Sequence, residues 1–144
     1  MSSWSEDTAP STANAHVGLV AHAYAALNAN NVEILAGLLH PDVSWFTPGR
    51  SPAAGEALGR DAVIARFRTY AAETRGTFRM NLRKLLHSRD GRVVAIHHDT
   101  GERNGNRLNV GCCTVFDFED GLILEAREHF FDLYGWDEFW SRHI

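Results

Sequence analysis

Three consecutive runs, RVVAIHHDTGER, NRLNVGCCTVFDF and LILEAREHFFD, fill the stretch from Arg92 to Asp132, and the dipeptides between them constrain the fold most. Asn104-Gly105 and Asp120-Gly121 are the residue pairs that two-residue hairpin turns select, because such turns need positive φ at their central positions. The stretch therefore reads as three antiparallel strands. It also holds the densest chemistry in the chain: His97, His98, Asp99, Arg127 and His129. Side chains alternate faces along a strand, so His97 and Asp99 share one face, and Arg127 and His129 share one face of a later strand.

The rest of the chain supplies packing for that sheet. With 144 residues it is long enough for one domain around a single core. Residues 1–13 are polar and read as a loosely ordered tail, leaving 14–144 as the domain. From Asn14, Val17, Val20, Tyr24 and Leu27 recur at helical spacing, with His16 and His22 on solvent faces. Asn30 is a candidate cap for a second short helix, with Glu33 placed to close a capping box and Pro41 ending it. DVSWFT, 42–47, reads as a short strand, and PGRSPAAGEALG as a long loop of the kind that borders binding sites. A third helix from Asp61 buries Val63, Phe67 and Tyr70, and residues 77–86 form the first strand of the meander. Gly135 then leads into a short helix with Trp136, Phe139 and Trp140 on one side, covering the core or a partner subunit. This order predicts an α+β fold: a curved antiparallel sheet with three helices from the first half of the chain on its concave face and a short C-terminal helix.

Charge and cysteine usage narrow the function classes. A formal net charge of −4 gives no basic patch for nucleic acid. Cys112 and Cys113 are adjacent in an apolar strand and point to opposite faces, so they read as packing residues rather than a disulfide. No basic start followed by an apolar run, and no apolar stretch of spanning length, is present, which predicts a cytoplasmic protein that does not enter membranes.

The segments ALNANNVEILAGLLHPDVSWFTP, GRDAVIARF and VFDFEDGLILEAREHFFD resemble the SnoaL-like branch of the nuclear transport factor 2-like superfamily over about residues 14 to 140. That resemblance implies a cone-shaped α+β barrel, a homodimer formed through the outer sheet face, and an enclosed apolar pocket, with no cofactor. The outer row would be Ile96, His98, Leu124, Ala126 and Phe130. The working residues of two enzymes with this fold transfer poorly. The general base of ketosteroid isomerase falls at Thr47, its tyrosine at Ala23, one position before Tyr24, and its protonated aspartate at Thr114. A threonine hydroxyl is no base near neutral pH. The polar trio of limonene epoxide hydrolase falls at His97, Asp99 and His129, with Arg127, Trp45 and Thr47 at neighbouring pocket positions, and only the aspartate is kept.

Read on their own terms, His97, Asp99 and His129 form the candidate catalytic group, and Tyr24, Trp45, Thr47, Phe67 and Arg127 the candidate pocket. A carboxylate beside an imidazole fixes its tautomer and strengthens it as a base, and an arginine stabilises a developing oxyanion. The expected activity is cofactor-free isomerase, cyclase or hydrolase chemistry on a small, mostly apolar molecule. The alternative is a non-catalytic ligand-binding or dimerisation domain, in which the same polar groups only satisfy one another. Two imidazoles and a carboxylate are also a plausible metal set, but HxD spacing alone does not specify one, and no metal is assigned.

Overall fold

A computed structural model describes residues 10–141. The elements are α1 (Pro10–Asn28), α2 (Val32–Leu38), β1 (Leu39–Thr47), β2 (Gly55–Leu58), α3 (Arg60–Glu73), β3 (Arg79–His87), β4 (Val93–Arg103), β5 (Asn106–Glu119), β6 (Leu122–Phe130) and α4 (Leu133–Ser141). One curved six-stranded sheet runs in the order β2-β1-β6-β5-β4-β3, with β2 and β3 as its free edges. The helices pack on one face of it, which makes the expected α+β architecture.

The hairpins form where the sequence places them. Asn104 and Gly105 have φ of 52° and 81°, and Asp120 and Gly121 have 54° and 74°. Both central residues of each turn are thus left-handed, and this matches the twist of the flanking strands. Unbroken antiparallel pairing follows from Val93↔Phe116 to Arg103↔Asn106.

Several expectations need correction. α1 starts at Pro10, a residue that suits the first helical turn because its missing N–H has no partner there anyway; residues 10–13 are helix, and the rest of the expected tail lies outside the described residues. His16 is half-buried, stacked on Phe118 at 3.9 Å and bonded through Nδ1 to the Gly91 carbonyl at 2.8 Å. The cap of α2 is Asn31, which accepts from the Ile34 amide, while Asn30 takes φ 55° in the turn before it. β1 runs parallel to β6, so the sheet is mixed rather than wholly antiparallel. Pro41 lies inside β1, in the gap between the pairs at Leu39 and Ser44, where its lack of an N–H breaks no ladder bond. A third of the expected 48–59 loop is strand β2, whose Ala57 is buried between exposed Glu56 and Leu58.

The core lies between the helices and the inner sheet face. Val20, Leu35, Leu39, Val63, Val93, Phe116 and Ile123 form its aliphatic and aromatic body. α4 closes one end with Trp136, Phe139 and Trp140, and Trp136 stacks on Phe130 with centroids 4.1 Å apart. No described helix is long and apolar enough to cross a membrane. Trp136 is fully buried, so Trp136→Ala should lower unfolding free energy by about 3–5 kcal/mol. Urea denaturation followed by circular dichroism checks this; a loss below about 1 kcal/mol would mean that α4 does not anchor the core.

Candidate functional site

On the inner face, His97 and Asp99 of β4 stand beside Cys112 and Thr114 of β5 and Glu128 of β6. Register fixes the arrangement: His97 pairs with Cys112, and Thr114 with Glu128. Each of these five residues is at most 1 % exposed. His97 Nδ1 bonds Asp99 Oδ1 at 2.6 Å, and its Nε2 bonds Thr114 Oγ1 at 2.8 Å. On the other side, Thr47 Oγ1 donates to Glu128 Oε1 at 2.8 Å and accepts from Arg66 Nη1 at 3.0 Å. Tyr24 of α1 lies against the imidazole, ring centroids 5.1 Å apart, and Trp45 closes the space with Phe67 and Phe116.

Burial sets the electrostatics. It pushes the Glu128 carboxyl up to about 7, and the neighbouring Asp99 charge adds to the effect; the Thr47 hydrogen bond, the His97 charge and the nearby Trp45 indole, which stops short of hydrogen-bond geometry, oppose it. Burial also raises Asp99, but the hydrogen bond and charge of His97 pull it back. Burial holds the Tyr24 phenol well above its usual range and so keeps it a neutral donor. Two carboxyls in one dry site are thereby separated in role, one partnered by an imidazole and the other poised near neutrality.

Several polar atoms here lack a partner within the protein. Tyr24 Oη, Trp45 Nε1, Tyr70 Oη and Asp99 Oδ2 are fully buried and make no hydrogen bond. Tyr24 Oη faces Thr114 without reaching hydrogen-bond geometry. Each such atom costs about 1–3 kcal/mol unless something other than the protein satisfies it.

The inward residues His97, Asp99, Tyr24, Trp45, Thr47 and Phe67 come together as the sequence suggests. Arg127 and His129 do not. Arg127 lies on the outer face, over the Phe46 ring at 4.7 Å and 3.9 Å from Glu56, and His129 is exposed opposite Cys113. The cause is a bulge. Phe118 pairs with Ile123 and Asp117 with Glu125, so Leu124 is an extra residue in β6. Ile123 and Ala126 therefore both point inward, and every later side chain changes face. Glu128 takes the interior place assigned to His129. Leu122-Ile-Leu-Glu carries no glycine or other bulge signal; only the alternative alternation, Ala126 and Glu128 against Arg127 and His129, marks the position. Sequence reasoning also misses Cys112, Tyr70 and Arg66 as members of the site, and it reaches Thr114 only by alignment.

His97, Asp99 and Cys112 offer ligand atoms within 4.8 Å of one another. Both imidazole nitrogens are already in hydrogen bonds, and burial together with Glu128 and Asp99 pushes the Cys112 thiol far from ionisation. The donor set fits a proton network better than a cation.

Glu128 also predicts a pH effect on stability. Its folded pKa lies above the ordinary carboxyl value of 4.5, so its contribution to stability is present below that value and is lost as pH rises through about 7. Glu128→Gln should therefore gain stability relative to the parent by roughly 3 kcal/mol between pH 5 and pH 8. Thermal unfolding across that range checks it; parallel pH curves for the two proteins would contradict the raised pKa.

Comparison with known proteins agrees with the fold. The model of the SnoaL-like domain matches residues 20–126. A structure from a soil-derived mobile gene cassette, Bal32a, is 48% identical, covering 90% of this chain and 99% of that one, with a TM-score of 0.89. A Xanthomonas campestris protein of unknown function with a cystatin-like fold is 25% identical over 88% of this chain and 98% of its own, with a TM-score of 0.81. An uncharacterised protein of Mycobacterium tuberculosis is 29% identical over 130 residues, 90% of this chain and 99% of its own length. The chain thus belongs to the SnoaL-like domain family.

Proposed function

We propose that this domain carries out cofactor-free proton transfer on a small, mostly apolar carbonyl compound, with Glu128 as the base. The observation that carries the reading is the group of buried polar atoms without protein partners beside a buried carboxyl poised near neutral pH. A general base works best when its pKa lies near the operating pH. Glu128 would take a proton from the carbon next to the carbonyl, and the neutral Tyr24 hydroxyl would donate to the enolate oxygen. The protonated Glu128 would then return the proton to carbon, which restores its carboxylate, while His97, held by Asp99 and Thr114, lines the site beside it. Binding without turnover is the second reading; it is favoured by the hydrogen bonds that already join His97, Asp99 and Thr114.

Hydrogen–deuterium exchange at the acidic carbons of cyclic ketones, α-tetralone first, tests the proposal by proton NMR in heavy water. Exchange should speed up as pH rises through about 7 and fall at least about a hundredfold in Glu128→Gln. His129→Ala, on the outer face, should leave the rate unchanged. Equal rates in the parent and Glu128→Gln would remove Glu128 from the mechanism.

We infer also that the outer sheet face pairs with a second copy. Register lines up Ile96 with Cys113 and Val94 with Val115 and Arg127, and Phe46 adjoins Arg127. These apolar residues are only half-buried on a face that would otherwise meet water. Ala126 and Phe130, expected in this row, belong to the inner side, where Ala126 is fully buried and Phe130 stacks on Trp136. Light scattering at micromolar concentration should give twice the 16.1 kDa chain mass, and Ile96→Asp should give the single mass. A monomeric parent protein would contradict the inference.

A further inference from the structure

A cleft of about 560 Å³ opens between α3, β2 and α4. Its walls are largely small or apolar: Ala53, Ala57, Ala62 and Ala65, with Tyr70 and Trp140 stacked at 4.5 Å between centroids. Several hydrogen-bond donors in these walls are held in reserve. Arg66 spends Nη1 on the Trp45 carbonyl, the Thr47 hydroxyl and the Gly55 carbonyl, at 3.2, 3.0 and 3.1 Å. Its Nε and Nη2 make no hydrogen bond or ion pair among the described residues. Tyr70 and Trp140 are 2% and 5% exposed, and neither Tyr70 Oη nor Trp140 Nε1 has a partner.

The cleft's acidic residues have partners of their own. Glu73 takes the Arg103 guanidinium at 2.8 Å, and Glu56 accepts from Ser44 and lies 3.9 Å from Arg127. Free guanidinium and indole N–H groups favour a ligand that carries acceptors, and a guanidinium selects an anion. Ring faces and alanines select a flat apolar body.

We propose that the α3–β2–α4 cleft binds a small aromatic carboxylate, its carboxylate on Arg66 and its ring against Tyr70 and Trp140. This deepens the proposed function, on which it rests for any chemistry after binding. Only Thr47 separates Arg66 from Glu128, accepting from the first and donating to the second, so a molecule bound on Arg66 sits one hydroxyl away from the interior carboxyl.

Isothermal titration calorimetry with 2-naphthoate tests the cleft without any activity assay. Saturable one-to-one binding is expected, at least about tenfold tighter than for the neutral 2-naphthamide, because the amide lacks the charge that Arg66 recognises. Arg66→Met should weaken naphthoate binding by a similar factor. Arg66 also holds three backbone and side-chain acceptors, so a second variant guards against misfolding: Ala65→Glu, on the exposed side of α3, adds a carboxylate to the cleft wall and should abolish binding with the fold intact by circular dichroism. Glu128→Gln should bind 2-naphthoate as the parent does, which keeps a failure of the interior chemistry distinct from a failure of the cleft. Equal affinity for acid and amide, unchanged affinity in folded Ala65→Glu, or no saturable binding would each overturn the assignment.

Discussion

Desolvation of ionisable groups governs this structure. Asp99, Glu128 and His97 are removed from water together, and each buried ion carries a penalty of several kcal/mol before its neighbours answer it. The fold answers in two ways. His97 stands 2.6 Å from Asp99 and provides one carboxyl with a partner, while Glu128 is left with a hydroxyl and a raised pKa. The aromatic and aliphatic core around them supplies the compensating burial. A site of this kind is a poor choice for stability alone, since well-packed apolar residues of similar volume serve as well or better.

The polar interior is connected to the surface by a short relay. Arg66 donates to Thr47, and Thr47 donates to Glu128. The hydroxyl uses its proton on one side and its lone pair on the other, so the chain has a direction. Three elements meet to build it: α3 supplies Arg66, β1 supplies Thr47, and β6 supplies Glu128. None is near another in sequence, and the parallel β1–β6 pair is what brings the last two side by side.

Much of the fold was legible because its signals are local. The Asn-Gly and Asp-Gly turns, the helix with Val63, Phe67 and Tyr70, and the three aromatics of α4 depend on residues within one element. His97 and Asp99 were legible as neighbours for the same reason, since two residues apart on a strand is enough to share a face. Errors arose where one element answers to another. Strand β2 is short and pairs only because β1 offers an edge, and the face of Glu128 depends on how β6 pairs with β5.

The sequence by itself determined the hairpins, the helical faces, the family and the His97–Asp99 pair. Tertiary structure decided which carboxyl joins that pair. One extra residue at Leu124, invisible as a pattern because Leu122, Ile123 and Leu124 are all apolar, turned His129 outward and Glu128 inward. Strand side chains repeat every two residues, so a shift of one reverses every later choice of face, and only pairing with a neighbouring strand fixes where that shift occurs.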